Sequence, residues 1–279
     1  MTTMTTKTKP KVILADYLKH LLIRTPLQQP AQKLQSLSQL RRQAQHPEME
    51  EIWRESARIE TILSRIIQPT DNCIDIGCHL GSMLDTILRF APAGNHLAVE
   101  QTPYKAEWLR HKFPEVKILE FALGESAGEV TFYQNTNQSG FSGLRPHKQD
   151  GDRLLAYMIQ AELLDNIVDL EQPIDFIKVD VEGGELGVLR GATQILRQYQ
   201  PTILFECTQS GLDCFGYSQQ GIFEFFQAFD YAIFLPKDFL DRGTALDLPQ
   251  FKQAMTYPFQ AFNFIAQPQS AQEQSSVSS

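Results

Sequence analysis

Acidic side chains near the middle of the chain suggest the most direct chemistry. Residues 178–185 read Lys-Val-Asp-Val-Glu-Gly-Gly-Glu and follow an apolar, β-branched run. Side chains alternate along a strand, so Lys178, Asp180 and Glu182 point the same way while the strand lasts. Glu206 ends the next apolar run. Ligands of open α/β sheets bind beyond the carboxyl ends of the strands, so carboxylates at this edge are placed for chemistry, proton transfer among it. We therefore predict Asp180, Glu182 and Glu206 as candidate catalytic residues.

The same carboxylates allow less specific interpretations. Asp180 could simply pair with Lys178, and Glu185 suits the first turn of the following helix, where the helix dipole favours an acid. We prefer that helical role for Glu185 and a functional role for Asp180. Asp180 and Glu206 could also share a hard cation such as Mg²⁺. Two carboxylates on neighbouring strands support this only weakly, so we expect no metal.

A glycine turn offers a second chemical signal. Residues 75–81 read Asp-Ile-Gly-Cys-His-Leu-Gly, at the end of the first predicted strand. Glycines at a strand-to-helix turn let the backbone approach a ligand, and the helix N-terminus supplies free N–H groups. The spacing is not the G-x-G-x-x-G of a dinucleotide site, which disfavours a nicotinamide oxidoreductase. Asp75 suits a ligand with an ammonium, such as the methionine part of S-adenosylmethionine, although a plain tight turn remains the alternative.

A third signal is Glu100, which ends the second predicted strand 25 residues after Asp75. In doubly wound folds an acid at this position accepts hydrogen bonds from ribose hydroxyls. A solvated glutamate opening a loop is the alternative. The turn and the acid together favour binding of a nucleoside.

The elements that must position these residues alternate between strand and helix. Apolar periodicity predicts strands at 73–76, 97–99, 116–122, 129–133, 174–179 and 202–205, an edge hairpin of 231–235 with 261–265, and helices at 82–90, 103–113, 152–164, 185–199 and 218–229. Alternation of this kind predicts an α/β fold with a mostly parallel sheet and helices on both faces.

The two ends of the chain differ from this body. Helices are predicted at 12–23, 31–45 and 47–67, so residues 1–66 form an N-terminal helical extension whose first eleven residues are disordered. The body spans 67–266. Residues 267–279 are rich in Gln and Ser and are predicted to be a disordered tail.

Composition limits the class of protein. The chain has 279 residues, 42% of them hydrophobic, which supports a sizeable core and excludes global disorder. The net charge of −8 disfavours non-specific binding to nucleic acid, which depends on neutralising phosphates. Four cysteines without a Cys-x-x-Cys pair suit a reducing cytosol, so we expect a cytoplasmic protein. No apolar run is long enough for a transmembrane segment, and no signal peptide is recognisable.

The charge is divided unevenly along the chain. Residues 1–45 carry a net charge of +7, so the remainder carries −15. We prefer to interpret this basic arm as a solvated helical cap over the side of the body on which a substrate would bind. The alternative is peripheral contact with an anionic membrane.

The motifs occur in an order that resembles the FkbM family of S-adenosylmethionine-dependent methyltransferases. They are Asp-Ile-Gly-x-x-x-Gly at 75–81, Glu100, Phe-Ala-Leu-Gly at 121–124, Ile-Asp-Phe-Ile-Lys-Val-Asp-Val-Glu-Gly at 174–183, Glu-Leu-x-Val-Leu-x-Gly-Ala at 185–192 and Pro-Thr-Ile-Leu-Phe-Glu at 201–206. The resemblance covers about Ile67 to Leu235. It implies a class I methyltransferase (Rossmann-like) fold, with a seven-stranded, mostly parallel sheet whose last strand is antiparallel. It also implies S-adenosylmethionine as donor and O-methylation of a sugar, glycan or natural-product metabolite. A binding protein that keeps the cofactor but lacks catalysis is the alternative.

Site residues follow from this resemblance by position. It implies that the turn containing Asp75, Gly77, Cys78, His79 and Gly81 contacts the methionine end of the cofactor. The resemblance also implies that Glu100 binds the ribose, that Ala122 lies near the adenine and that Ser142 belongs to a loop near the cofactor. The family commonly has Ala-Asn where this chain has Cys-His in the turn.

For the methyl transfer that the resemblance implies, we predict that Asp180 is the base or orients the acceptor hydroxyl, with Glu182 shaping the site and Glu206 assisting. His79 of the glycine turn and His147 are alternative bases.

Overall fold

The structure is a computed structural model that describes residues 20–27, 43–146 and 152–269. The predicted helix at 31–45 lies outside these residues except for 43–45, which are helical. The predicted helix at 12–23, the disorder of 1–11, most of the tail and His147 also lie wholly or largely outside them.

Ten strands in the described residues form two sheets. They are β1 Cys73–Ile76, β2 Leu97–Val99, β3 Lys117–Leu119, β4 Ala122–Leu123, β5 Gly128–Asn135, β6 Leu154–Glu162, β7 Phe176–Val179, β8 Thr202–Glu206, β9 Tyr231–Phe234 and β10 Asn263–Pro268. The main sheet has the order β3-β2-β1-β7-β8-β10-β9, and β4-β6-β5 form a smaller sheet. In the main sheet the five neighbouring strands β3, β2, β1, β7 and β8 run parallel, whereas β10 lies antiparallel between β8 and β9. This arrangement confirms the predicted fold class.

The described helices are α1 Glu50–Ile66, α2 Ser82–Phe90, α3 Pro103–Lys112, α4 Leu164–Ile167, α5 Glu185–Arg190, α6 Thr193–Tyr199, α7 Gln209–Phe215, α8 Gln219–Ala228, α9 Pro236–Leu240 and α10 Leu248–Ala254. A 3₁₀ turn at Pro47–Met49 precedes α1. None of the helices in this part of the chain is both long and apolar enough to cross a membrane.

Helix α1 covers one face of the main sheet. Its buried residues Ile59, Ile62 and Leu63 recur at helical spacing, so they form one stripe. That stripe packs with Leu204 of β8 and Ile265 of β10 in a single apolar cluster. Residues 50–66, the last part of the predicted N-terminal extension, therefore pack directly on the sheet.

The predicted helix at 152–164 is wrong, because most of it forms β6. Eight residue pairs join β6 to β5 in antiparallel register, from Gly128 with Ala161 to Asn135 with Leu154. Aliphatic residues in this segment permit either period, and a long complementary partner strand decides the outcome. Helix α4 begins only at Leu164.

Three further boundaries differ from the prediction. The strand expected at 116–122 divides into β3 and β4, which belong to different sheets. The helix expected at 185–199 divides into α5 and α6 around Gly191, where a Cβ would lie 2.2 Å from the Gly124 carbonyl oxygen. Strands β9 and β10 pair as expected, but β10 also pairs with β8 and continues to Pro268.

Candidate active site

The turn after β1 brings the backbone very close to the end of β7. Gly77 has φ +73°, and a Cβ there would lie 1.7 Å from the carbonyl oxygen of Asp180. Gly81 has φ +89°, and its Cβ would meet the Phe113 ring at 2.3 Å. Both positions therefore require glycine, because other residues avoid this backbone region and would also collide. The predicted turn is thus built against the predicted catalytic strand end.

Asp75 lies under this turn and is fully buried. Neither of its carboxylate oxygens accepts a hydrogen bond from the described residues. Lys178 Nζ approaches Oδ1 to 3.5 Å as an ion pair. Burial raises the pKa of Asp75, and the Lys178 charge only partly opposes this. An orphaned buried carboxylate retains acceptor capacity for a ligand or water with N–H donors, which suits the ammonium expected there.

Glu100 follows β2 and is 2% exposed. Its Oε2 accepts the His79 backbone N–H, and its Oε1 accepts that of Thr102, each at 2.9 Å. These amides fix the carboxylate, while each oxygen keeps a second lone pair. Such an anchored acid can accept hydrogen bonds from two adjacent hydroxyls of a ribose.

Cys78 packs inside the turn. Its Sγ lies 3.5 Å from the Val99 carbonyl oxygen and donates to it. The side chain is buried, and burial raises the pKa of its thiol. It therefore supports the turn as a small apolar residue with a neutral thiol.

His79 occupies the same turn with φ +52°. Its Nε2 lies 3.0 Å from Ser139 Oγ. Burial, followed by the charges of Lys105 and His20, lowers the pKa of the imidazole to about 2. The ring is neutral at working pH, and so small a proton affinity speaks against His79 as the base.

Ser142 lies in a tightly hydrogen-bonded loop. Its hydroxyl accepts the Asn135 N–H and donates to the Ser139 carbonyl oxygen, each at 3.0 Å. The loop approaches the carboxylates through Gly143, whose Cβ position lies 3.6 Å from Glu182 Cβ. Ser142 thus shapes a loop that faces the site.

A cavity of about 320 Å³ lies beside the turn after β7. Its lining includes Gln101, Ala122, Val181, Phe215 and Tyr217. Ala122, predicted at the adenine, therefore lines a space with aromatic walls, and so does Gln101, the residue after Glu100. Such a space suits a planar base.

The three predicted catalytic carboxylates converge. Asp180, Glu182 and Glu206 each offer an oxygen, and these atoms lie within 4.8 Å of one another. We call these three residues the carboxylate cluster. A hard cation could fit among them. The cluster unites the ends of β7 and β8, as the sequence predicted.

The turn that carries Glu182 is held by its neighbours. Glu182 has φ +61°. Glu185 is 1% exposed, and its Oε1 accepts the N–H groups of Val181 at 2.9 Å and Gly183 at 3.2 Å. The carboxylate of Glu185 therefore fastens the turn at the first residue of α5, close to its predicted role.

Electrostatics distinguish the members of the cluster. Lys178 Nζ lies 3.2 Å from Asp180 Oδ2, so Asp180 is held in an ion pair. Burial, and then the charges of Asp180 and Glu185, raises the pKa of Glu182 to about 8. The same causes raise the pKa of Glu206 well above its ordinary value. Carboxyls with raised pKa values can take a proton near neutral pH.

Two buried charged residues near the site were not predicted. Lys105 of α3 donates to the Ser139 carbonyl oxygen at 2.9 Å and is 3% exposed. Glu55 of α1 is 7% exposed and reaches the start of β10. Neither belongs to a recognisable motif, and their partners are distant in sequence.

A sequence profile described as the methyltransferase FkbM domain matches residues 75–233, more than half of the chain. No curated protein sequence matches.

Three of the solved structures to which this chain is similar are methyltransferases. The plantazolicin methyltransferase BpumL, in complex with a pentazolic desmethylPZN analog and SAH, is 12% identical, with 91% of this chain and 96% of that chain covered and a TM-score of 0.41. Precorrin-6y C5,15-methyltransferase from Geobacter metallireducens is 15% identical, with 64% and 73% covered and a TM-score of 0.38. A TehB-like SAM-dependent methyltransferase from Corynebacterium glutamicum is 10% identical, with 85% and 97% covered and a TM-score of 0.37.

Proposed function

Because the chain belongs to the FkbM family of methyltransferases, we propose that it transfers a methyl group from S-adenosylmethionine to a hydroxyl of a sugar, a glycan or a natural-product metabolite. The observation that carries this proposal is the carboxylate cluster, which stands directly beside the glycine turn. A hydroxyl is a poor nucleophile until its proton is removed, and this cluster supplies groups that can remove it.

The donor would be held by the residues after β1 and β2. Bound there, S-adenosylmethionine supplies an electrophilic methyl group on a sulfonium. Asp75 offers acceptors to the ammonium, Glu100 offers them to the ribose, and Ala122 lines the cavity for the base. Gly77 and Gly81 keep the turn compact enough for a ligand to lie against its backbone.

The acceptor would be held by the carboxylate cluster. Asp180, fixed by Lys178, accepts a hydrogen bond from the acceptor hydroxyl and orients it. The ionised form of Glu206 or Glu182 receives its proton, and a raised pKa makes that ionised carboxylate a stronger base than an ordinary glutamate. Positioning of the nucleophile then provides the remaining rate enhancement.

The test separates binding from turnover. Calorimetric titration with S-adenosylhomocysteine measures the donor site, and formation of S-adenosylhomocysteine from S-adenosylmethionine measures turnover. The acceptor probes are methyl glycosides of glucose, galactose and rhamnose, together with simple aromatic and aliphatic alcohols.

We expect Asp180→Asn and Glu206→Gln each to lower kcat by about 100-fold. Binding of S-adenosylhomocysteine should change by less than about 3-fold. Glu129→Gln, on the exposed start of β5, is the matched control and should behave as wild type. Wild-type kcat in both cluster variants would overturn the assignment. Chelation with EDTA, if it abolished turnover, would show that a cation shares the cluster.

A non-catalytic protein that binds S-adenosylmethionine is the second candidate. It is favoured by the well-formed donor side, which would serve binding alone. Titratable binding without turnover on any probe would support it, whereas no heat on titration would overturn both readings.

We extend the proposal to a cytoplasmic enzyme acting on a small-molecule or glycan acceptor. The cysteines support this, since all four are free and three of them, Cys73, Cys78 and Cys207, are buried. Contact of the basic arm, residues 1–45, with anionic lipid would be seen as flotation of the full chain with vesicles and its loss on removing the arm. Equal behaviour of both proteins would overturn that contact.

A further inference from the structure

The face of the main sheet that α1 covers carries a row of polar residues. Asp75 pairs with Lys178, and Lys178 pairs with Leu204 in parallel register. Glu206 lies two residues beyond Leu204, so its side chain is on the same face. Asn263, the first residue of β10, stands directly opposite Glu206. The row therefore runs from the turn at residues 75–81, which we call the donor turn, to the beginning of β10.

Glu55 of α1 meets this row at its far end. Its Oε1 accepts the backbone N–H of Phe262 at 2.8 Å and that of Asn263 at 2.9 Å. Its Oε2 accepts the side-chain amide of Asn263 at 3.1 Å. A single carboxylate thus satisfies three donors where β10 begins.

Neither of the two backbone donors has a partner in β9. Strand β9 pairs with β10 only from Ile265 onward, so it does not reach Phe262 or Asn263. Glu55 therefore replaces a neighbouring strand at this point. On the other side, the Phe262 carbonyl oxygen accepts the Cys207 N–H at 2.8 Å, directly after Glu206.

Burial of this carboxylate is costly, and burial raises the pKa of Glu55 despite its three hydrogen bonds. The charge of Arg58 opposes this rise only weakly, and Arg58 forms its own ion pair with Glu51. A buried acid in this position is thus used mainly for hydrogen bonding to β10.

We propose that Glu55 is a positioning residue, which holds the start of β10 against β8 and so keeps Glu206 within the carboxylate cluster. This inference rests on the proposed function, because it assigns Glu55 a role in that same reaction. Glu55 and Asn263 both lie outside residues 75–233, the part of the chain that the family profile matches.

The test compares two substitutions at Glu55. Glu55→Ala removes all three acceptor contacts, whereas Glu55→Gln keeps one oxygen that can accept both backbone N–H groups. Methyl transfer from tritiated S-adenosylmethionine to the methyl glycoside probes is measured well below the unfolding temperature of each variant. We expect kcat to fall about 10-fold in Glu55→Ala and by less than about 2-fold in Glu55→Gln, with the cofactor KM unchanged in both. Glu60→Ala, an exposed residue of the same helix, is the matched control.

A purely structural role would lower the unfolding temperature and leave kcat intact, and that result overturns the inference. Equal losses in Glu55→Ala and Glu55→Gln also overturn it, because they would assign the effect to charge. If Glu55→Ala does not fold, Asn263→Ala removes only the side-chain donor and should lower kcat about 3-fold. An unchanged kcat there overturns the inference. Absence of wild-type turnover, with binding intact, overturns the proposed function itself.

Discussion

The donor turn and the carboxylate cluster lie at the same edge of one sheet, yet they treat acidic groups in opposite ways. Glu100 is held by two backbone N–H groups. The carboxylate of Glu206 accepts no hydrogen bond from the described residues. Burial and the charges of neighbouring carboxylates raise its pKa. Hydrogen bonds to a carboxylate favour its charged form, whereas burial and like charges disfavour it. The first arrangement suits lasting binding, and the second suits proton transfer.

Gly77→Ala should have the largest effect, because it disrupts the backbone contact between the donor turn and the end of β7. The new Cβ would lie 1.7 Å from the Asp180 carbonyl oxygen, at a backbone φ of +73°. We expect the free energy of unfolding to fall by about 3–5 kcal/mol, as measured by chemical denaturation.

Gly140→Ala is the control for this substitution, since a Cβ there meets nothing within 4 Å. It should change stability by less than about 1 kcal/mol. Equal stability of the two variants would show that the turn and the strand end are not in close contact.

Glu100→Gln tests the donor side of the comparison. Glutamine keeps only one of the two acceptor oxygens and loses the charge, so the turn and the ribose contacts both weaken. We expect the Kd for S-adenosylhomocysteine to rise about 10-fold in calorimetry. The pH dependence of turnover should keep its shape, because Glu100 takes no proton in the reaction. If this variant bound S-adenosylhomocysteine as tightly as wild type but lost one limb of its pH–rate profile, the roles of the two regions would be reversed.

Glu182→Gln tests the electrostatics of the cluster. The pKa of Glu182 is raised from 4.5 in the unfolded chain to about 8 in the folded protein. As pH rises through this window, the unfolded chain releases the proton first, so the stability that protonated Glu182 contributes is lost. Wild-type stability should therefore fall between pH 5 and pH 8, and the variant should lose less, on the order of 1 kcal/mol less.

Thermal unfolding at several pH values gives this measurement, with the exposed Glu129→Gln as control. Glu185 and Glu206 contribute in the same direction, because burial raises their pKa values as well. The variant should therefore be less sensitive to pH rather than insensitive. Identical slopes for wild type and variant would contradict a raised pKa of Glu182.

The sequence predicted the donor turn better than the surroundings of the cluster, for a physical reason. Residues 75–81 and the helix after them depend on local backbone geometry, which glycine spacing reveals. The convergence of Glu182 with Glu206 requires the parallel pairing of β7 with β8, which the alternation of elements predicted correctly. Strand β6 was misread because its partner β5, rather than its own composition, determines its conformation. The contact of Glu55 with Asn263 spans 208 residues, so no spacing could indicate it.

His79→Asn should have the smallest effect and tests whether proton transfer is confined to the cluster. The imidazole is neutral at working pH, since its pKa is lowered to about 2. Asparagine tolerates the left-handed backbone at this position, where φ is +52°. Loss of the contact to Ser139 Oγ should cost at most about 1 kcal/mol of stability. We expect kcat to stay within about 2-fold of wild type, with an unchanged pH profile between pH 6 and pH 9. A large fall in kcat, together with loss of the limb of the pH–rate profile near neutral pH, would identify His79 as the base. The donor turn would then perform the proton transfer that we assign to the carboxylate cluster.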